Sequence, residues 1–99
     1  MTTTVKILRT DRLQQHGKLA DAELHFTGGD LDGLKLIGFA VWERRDGQGM
    51  NVTFPARPFI VHGERRSFAL LRATGDPSAQ DRIRQMVLEA FEKEGKQAS

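Results

Sequence analysis

Apolar residues recur at every second position along most of the chain up to Leu71, then switch to helical spacing towards the C-terminus. Val5 to Leu8, alternating with Lys6 and Arg9, predicts a first strand, and Gln14-Gln15-His16-Gly17 predicts a turn. Lys18 to Phe26 is amphipathic at strand spacing, with Ala20, Ala22, Leu24 and Phe26 on one face and Asp21, Glu23 and His25 on the other. A Gly/Asp loop follows from Thr27 to Gly33. Leu34 to Glu43 is apolar on both sides, Leu36, Ala40 and Trp42 against Ile37, Phe39 and Val41. That pattern predicts a central strand covered on both faces. Asp46-Gly47-Gln48-Gly49 predicts a hairpin turn into a strand from Met50 to Phe54. Beyond a break at Pro55-Ala56-Arg57 come a strand at Phe59-Ile60-Val61, a tight turn at Gly63-Glu64-Arg65-Arg66, and a strand from Phe68 to Leu71. The arginines are expected at the breaks rather than within the strands.

One helix is expected after the sheet. Asp76-Pro77 supplies an N-cap and a proline at the first helical position, with Ser78 and Asp81 as a second capping arrangement. Ala79, Ile83, Met86, Val87, Ala90 and Phe91 form an apolar stripe, which leaves Leu88 on the polar side, and Gly95 is the expected stop. The fold class is therefore α+β, a largely antiparallel sheet with one C-terminal helix packed on one face. Residues 1–95 form a single domain and 96–99 a flexible tail. A lone helix covers one sheet face only, so a doubly apolar central strand predicts a homodimer.

Composition narrows the function classes. With 38% hydrophobic and 28% charged residues, the 99-residue chain belongs with soluble globular domains rather than disordered or fibrous ones. No run reaches the roughly 18 apolar residues of a membrane span, and Met1-Thr2-Thr3-Thr4 leads straight into strand pattern without the basic start of a leader. No cysteine is present, which excludes disulfides and thiolate metal sites. The expected location is the cytoplasm.

The net charge of +2 is unevenly spread. Arg44, Arg45, Arg57, Arg65, Arg66, Arg72, Arg82 and Arg84 share one window with only Asp46, Glu64, Asp76 and Asp81, and no lysine lies among them. A guanidinium presents a planar fork of donors suited to phosphate oxygens and base edges. The candidate nucleic-acid contacts are Arg57, Arg65 and Arg66, followed by Arg44, Arg45, Arg72 and Arg82.

Several stretches point the same way together: Ala20-Asp21-Ala22-Glu23-Leu24, Leu36-Ile37-Gly38-Phe39-Ala40-Val41, Gly49 through Val52 into Phe54-Pro55-Ala56-Arg57, Gly63-Glu64-Arg65-Arg66, and Arg82-Ile83 through Val87-Leu88-Glu89-Ala90-Phe91. In this order and spacing the chain resembles the SpoVG family of small bacterial regulators, named for septation and sporulation phenotypes, over Leu19 to Glu92. The resemblance implies a dimer of antiparallel sheets, each with a helix against it, that binds DNA and RNA. It places Arg57 in the basic site after the motif's proline and Arg65 and Arg66 at the Gly-Glu turn. The chain departs from the family pattern in its longer Thr27 to Gly33 loop and in Ala69-Leu70-Leu71, where a His-Pro pair is usual.

Sharper motifs fail on particular residues. Gly28 to Gly33 has the glycine spacing of a phosphate loop, but Leu34 stands where lysine is required. Asp30-Leu31-Asp32-Gly33 begins like a calcium loop, yet Val41 occupies the place of the bidentate glutamate. Gly38-Phe39-Ala40-Val41-Trp42 echoes an RNA-recognition strand without its leading cation, and reads as core. His16, His25 and His62 lack metal-ligand spacing, and no nucleophile, base and acid set is readable. The chain is expected to use no cofactor or metal and not to be an enzyme. Two functions remain: a nucleic-acid-binding regulator working through an arginine-rich sheet edge, and a protein-interaction module working through an exposed strand edge.

Overall fold

A computed structural model describes residues 1–9, 17–44, 47 and 49–98, with the side chains of 95–98 excepted. The fold is α+β. Strands β1 (Thr2–Arg9), β2 (Lys18–Thr27), β3 (Lys35–Glu43) and β4 (Met50–Thr53) form an antiparallel sheet in chain order. Among the described residues, strands β5 (Ala56–Val61) and β6 (Glu64–Ala69) pair only with each other, and helix α1 (Ser78–Ala98) follows. No helix among the described residues is long and apolar enough to cross a membrane.

Strand periodicity builds the core face directly. Cross-strand rows run Val5–Leu24–Leu36, Ile7–Ala22–Phe39 and Ala20–Val41–Val52. Ala20, Ala22, Phe39, Val41 and Val87 are wholly buried, and Leu24 and Val52 nearly so. Helix α1 lies across this face, touching β1, β3 and β4. Phe39 also meets the Phe54 ring edge-on at 5.1 Å, and Arg9 lies over the Phe91 ring at 5.1 Å.

The expected division of β3 into two faces, Leu36 with Ala40 and Trp42 against Ile37 with Phe39 and Val41, is corrected. Ala22 pairs with Phe39 and Leu24 with Leu36, so Glu23 alone faces both Ile37 and Gly38. This β-bulge shifts the side-chain alternation by one residue. Leu36 joins Phe39 and Val41 against the core, while Ile37 is turned out and 58% exposed. The opposite sheet face is polar. Lys18 pairs with Asp21 at 2.6 Å, and the Trp42 indole N–H donates to Thr53 Oγ1 at 2.8 Å. Glu23 contacts His25 at 2.9 Å and Lys35 at 3.4 Å, and these partners, His25 foremost, hold its carboxyl below the ordinary range against the opposing effect of desolvation.

Gly38 makes the bulge possible. Its φ is +105°, and a Cβ there would stand 2.8 Å from the Pro55 Cβ. A left-handed backbone and the close approach of Pro55 both require glycine.

The helix begins where expected: the Asp76 carboxylate accepts the Ser78 N–H at 2.9 Å, and Pro77 precedes the first helical residue. Two expectations are corrected. Leu88 is half-buried and packs against the core with Ile83, Val87 and Phe91, because the helix is turned slightly towards that side of the stripe. Gly95 does not stop the helix, which continues to Ala98. The turn expected at 14–16 and the hairpin residues Asp46 and Gln48 lie outside the described residues. The flanks of that hairpin close as expected, with Arg44 N–H donating to the Gly49 carbonyl at 3.1 Å.

The bulge separates neighbours in β3 by their thermodynamic weight. Phe39→Ala should cost about 3–5 kcal/mol in denaturant melts. Leu36→Ala should cost clearly more than Ile37→Ala, because only Leu36 packs into the chain's own core. An unbulged strand would reverse Leu36 and Ile37.

Candidate nucleic-acid interface

The strongest cationic feature is the β5–β6 ribbon, and its register decides which side chains act together. The two-residue turn is His62-Gly63, with positive φ at both positions, 51° and 80°. This is the primed-turn geometry whose twist matches paired strands. Arg65 and Arg66 therefore lie inside β6, paired with Ile60 and Phe59, and Arg57 lies inside β5, paired with Phe68. The expected placement of arginines at the breaks is corrected accordingly: the turn is two residues long, so the strand begins at Glu64.

Pairing also sorts the ribbon into two faces. One carries Arg57, Phe59, Val61, Glu64, Arg66 and Phe68; the other carries Pro58, Ile60, Arg65 and Ser67 with the alanines at the base. Adjacent in sequence, Arg65 and Arg66 point to opposite sides. Phe59 and Phe68 pack at 5.5 Å between ring centroids with planes tilted by 56°. Arg57 and Arg65 have no hydrogen-bond or ion-pair partner among the described residues. Arg66 donates to Glu64 at 3.1 Å, an exposed pair of small energetic weight.

The ribbon stands apart from the rest of the chain. Its base is tied by the Leu70 N–H donating to the Pro55 carbonyl at 2.9 Å, and Pro55 is buried against Gly38. Beyond that base the two strands pack mainly on each other. Pro58 is tolerated because a two-stranded ribbon has free edges where a missing N–H costs no ladder bond.

The remaining candidates are scattered. Arg72 and Arg82 come together on a cavity of about 190 Å³ between the segment after β6 and the start of α1, lined also by Phe54, Leu71, Ala79 and Ile83. Gln80 bridges its two walls by donating to the Leu71 carbonyl at 3.2 Å. Arg82 also acts on Asp76, whose carboxyl is held below the ordinary range first by the Ser78 N–H and hydroxyl and then by this guanidinium. Arg44 lies at the far end of the β3–β4 hairpin, and Arg45 is outside the described residues. Arg84, not among the candidates, lies over the Phe54 ring at 5.2 Å and pairs with Asp81 at 2.7 Å. The aromatic pair on the ribbon was not singled out from sequence. Its signal was the alternation Arg57, Phe59 in one strand and Arg66, Phe68 in the next, visible once the turn is counted as two residues.

No group of three or more His, Asp or Glu side chains suited to a metal ion occurs among the described residues. Compared with models of known families, with curated proteins and with solved structures, the chain has no significant match.

The cap at Asp76 gives the helix start a pH dependence. A carboxyl whose folded pKa is depressed contributes stability that is complete above its unfolded pKa and lost as pH falls through the folded value. Asp76→Asn keeps a capping oxygen but removes the charge. Thermal melts of this variant should match the parent at neutral pH more closely than Asp76→Ala does, and should lose less stability on acidification. An unchanged acid limb would remove Asp76 from the acid response.

Proposed function

We propose that this protein is a nucleic-acid-binding regulator that acts by binding rather than catalysis, with the β5–β6 ribbon as its contact surface. The observation that carries this reading is the ribbon itself. It places three exposed arginines against one acid on an element that contributes little to the core, and leaves Arg57 and Arg65 without hydrogen-bond or ion-pair partners among the described residues. A two-stranded ribbon is narrow enough to enter a major groove, and guanidinium groups suit phosphates and base edges. The resemblance of the sequence to the SpoVG family points to the same activity and to a role in gene regulation or septation. We further propose that the working unit is a homodimer that covers some of Leu34, Ile37, Ile60 and Leu70, each more than half exposed in the single chain.

A second reading is favoured by one observation. Ile60 is 72% exposed beside free strand edges, which suits strand addition by a protein partner. The two readings differ in their response to salt.

Titration with mixed DNA and RNA pools should give a logarithmic affinity that falls linearly with the logarithm of salt concentration, with a slope of about −3.6 if about four duplex phosphates are neutralised. Replacing Arg57, Arg65 and Arg66 by Ala should flatten that slope by about two to three units. The melting temperature should barely change, because the side chains are exposed. A folded triple variant with the parent's affinity and slope would remove the ribbon from the binding surface and favour the protein-partner reading.

Light scattering after size exclusion should return twice 11.1 kDa at micromolar concentration. A clean monomer there would remove the dimer.

A further inference from the structure

We propose that the ribbon face bearing Arg57, Phe59, Arg66 and Phe68 is a stacking platform for single-stranded nucleic acid, with unstacked bases laid on the phenyl rings and the flanking phosphates held by the two arginines. This inference rests on the nucleic-acid reading above and specifies its ligand.

Four observations meet on this face. The register sets Arg57 directly across from Phe68 and Arg66 directly across from Phe59, so cation and ring alternate both along and across the ribbon. The two rings lean on each other at 5.5 Å and form a continuous apolar surface rather than two isolated side chains. Phe68 is 40% exposed and neither ring belongs to the core cluster, so the pair is not explained by folding the main sheet. Among the described residues Arg57 has no hydrogen-bond or ion-pair partner and Arg66 has only the exposed contact to Glu64, which a phosphate can displace.

The chemistry of the rings selects the strand state. Phenyl groups neither donate nor accept hydrogen bonds, so they read nothing from base edges in a duplex groove, where the flat faces of the bases are hidden by stacking. A single strand offers those faces. Each base stacked on an aromatic ring then adds affinity with little dependence on sequence, while the cations track the backbone. Successive same-face positions on one strand are about 7 Å apart, which leaves room for a ring and a phosphate contact side by side. The opposite face, with Pro58 and Ile60, has no aromatic ring and carries Arg65 as its one cation.

The test compares a labelled oligothymidylate of about 15 nucleotides with a mixed-sequence duplex of similar length by fluorescence anisotropy at low salt. The parent should bind the oligothymidylate at least as tightly as the duplex. Phe68→Ala should weaken the oligothymidylate complex roughly 5- to 150-fold and the duplex complex by less than about twofold. Phe68→Trp should retain single-strand binding, and its added indole fluorescence should be quenched by the oligothymidylate but not by the duplex. A folded Phe68→Ala protein with unchanged oligothymidylate affinity, or a Phe68→Trp signal untouched by it, overturns the stacking platform while duplex binding keeps the broader reading intact. Failure of the parent to bind either probe overturns both. If Phe68→Ala instead dissociates a dimer and leaves single-strand affinity unchanged, the face belongs to a second copy of the chain and the proposal falls.

Discussion

Gly38 stands with φ at +105°, and Pro55 occupies the space within 2.8 Å of where a side chain would begin. Most of the architecture follows from that contact. The left-handed residue inserts the bulge that moves Leu36 onto the core face and turns Ile37 out. The same approach seats Pro55 at the end of β4, where its carbonyl receives the Leu70 N–H and so brings the two ends of the β5–β6 ribbon together. Any side chain at this position would have to push away the proline that anchors the ribbon.

The sheet divides its two faces by chemistry. One is dry and small: Phe39, Leu24 and Val41 are its largest buried side chains, and helix α1 covers them with the buried Val87. The other is held by short polar contacts, Lys18 to Asp21, Glu23 to His25 and Lys35, and Trp42 to Thr53. Ala40 is buried within this polar face, where its small side chain lies in the row from Asp21 to Thr53. Large apolar side chains more than half exposed remain at Leu34, Ile37, Ile60 and Leu70.

On the proposed reading, stability and recognition fall to different parts of the chain. The ribbon's arginines are exposed and contribute little to the core, whereas the helix and the four-stranded sheet carry the buried area. The cavity beside Arg72 and Arg82 lies between these regions, where Gln80 stitches its walls and Arg82 acts on the helix cap. Arg84 is likewise engaged, over Phe54 and with Asp81. Two of the arginines without a hydrogen-bond or ion-pair partner among the described residues, Arg57 and Arg65, share the ribbon.

Local periodicity was enough to read the α+β class, the β2 core face of Ala20, Ala22 and Leu24, the hairpin before Met50 and the helix start at Asp76-Pro77, because each depends on neighbours a few residues away in the chain. Three features were decided elsewhere. Alternation along Leu34 to Glu43 cannot show a bulge, since the extra residue is defined by what β2 presents opposite it, and Gly38 alone does not say that Pro55 lies against it. The place of Leu88 depended on the rotation of the helix against β1, β3 and β4. The arginine run at 65–66 reads as one patch in sequence, yet pairing in a ribbon sends consecutive residues to opposite faces and joins Arg66 to Arg57, nine residues away, across two phenylalanines. Composition located the charge; only the strand register determined which charges share a surface, because cross-strand neighbours are set by the turn that joins them.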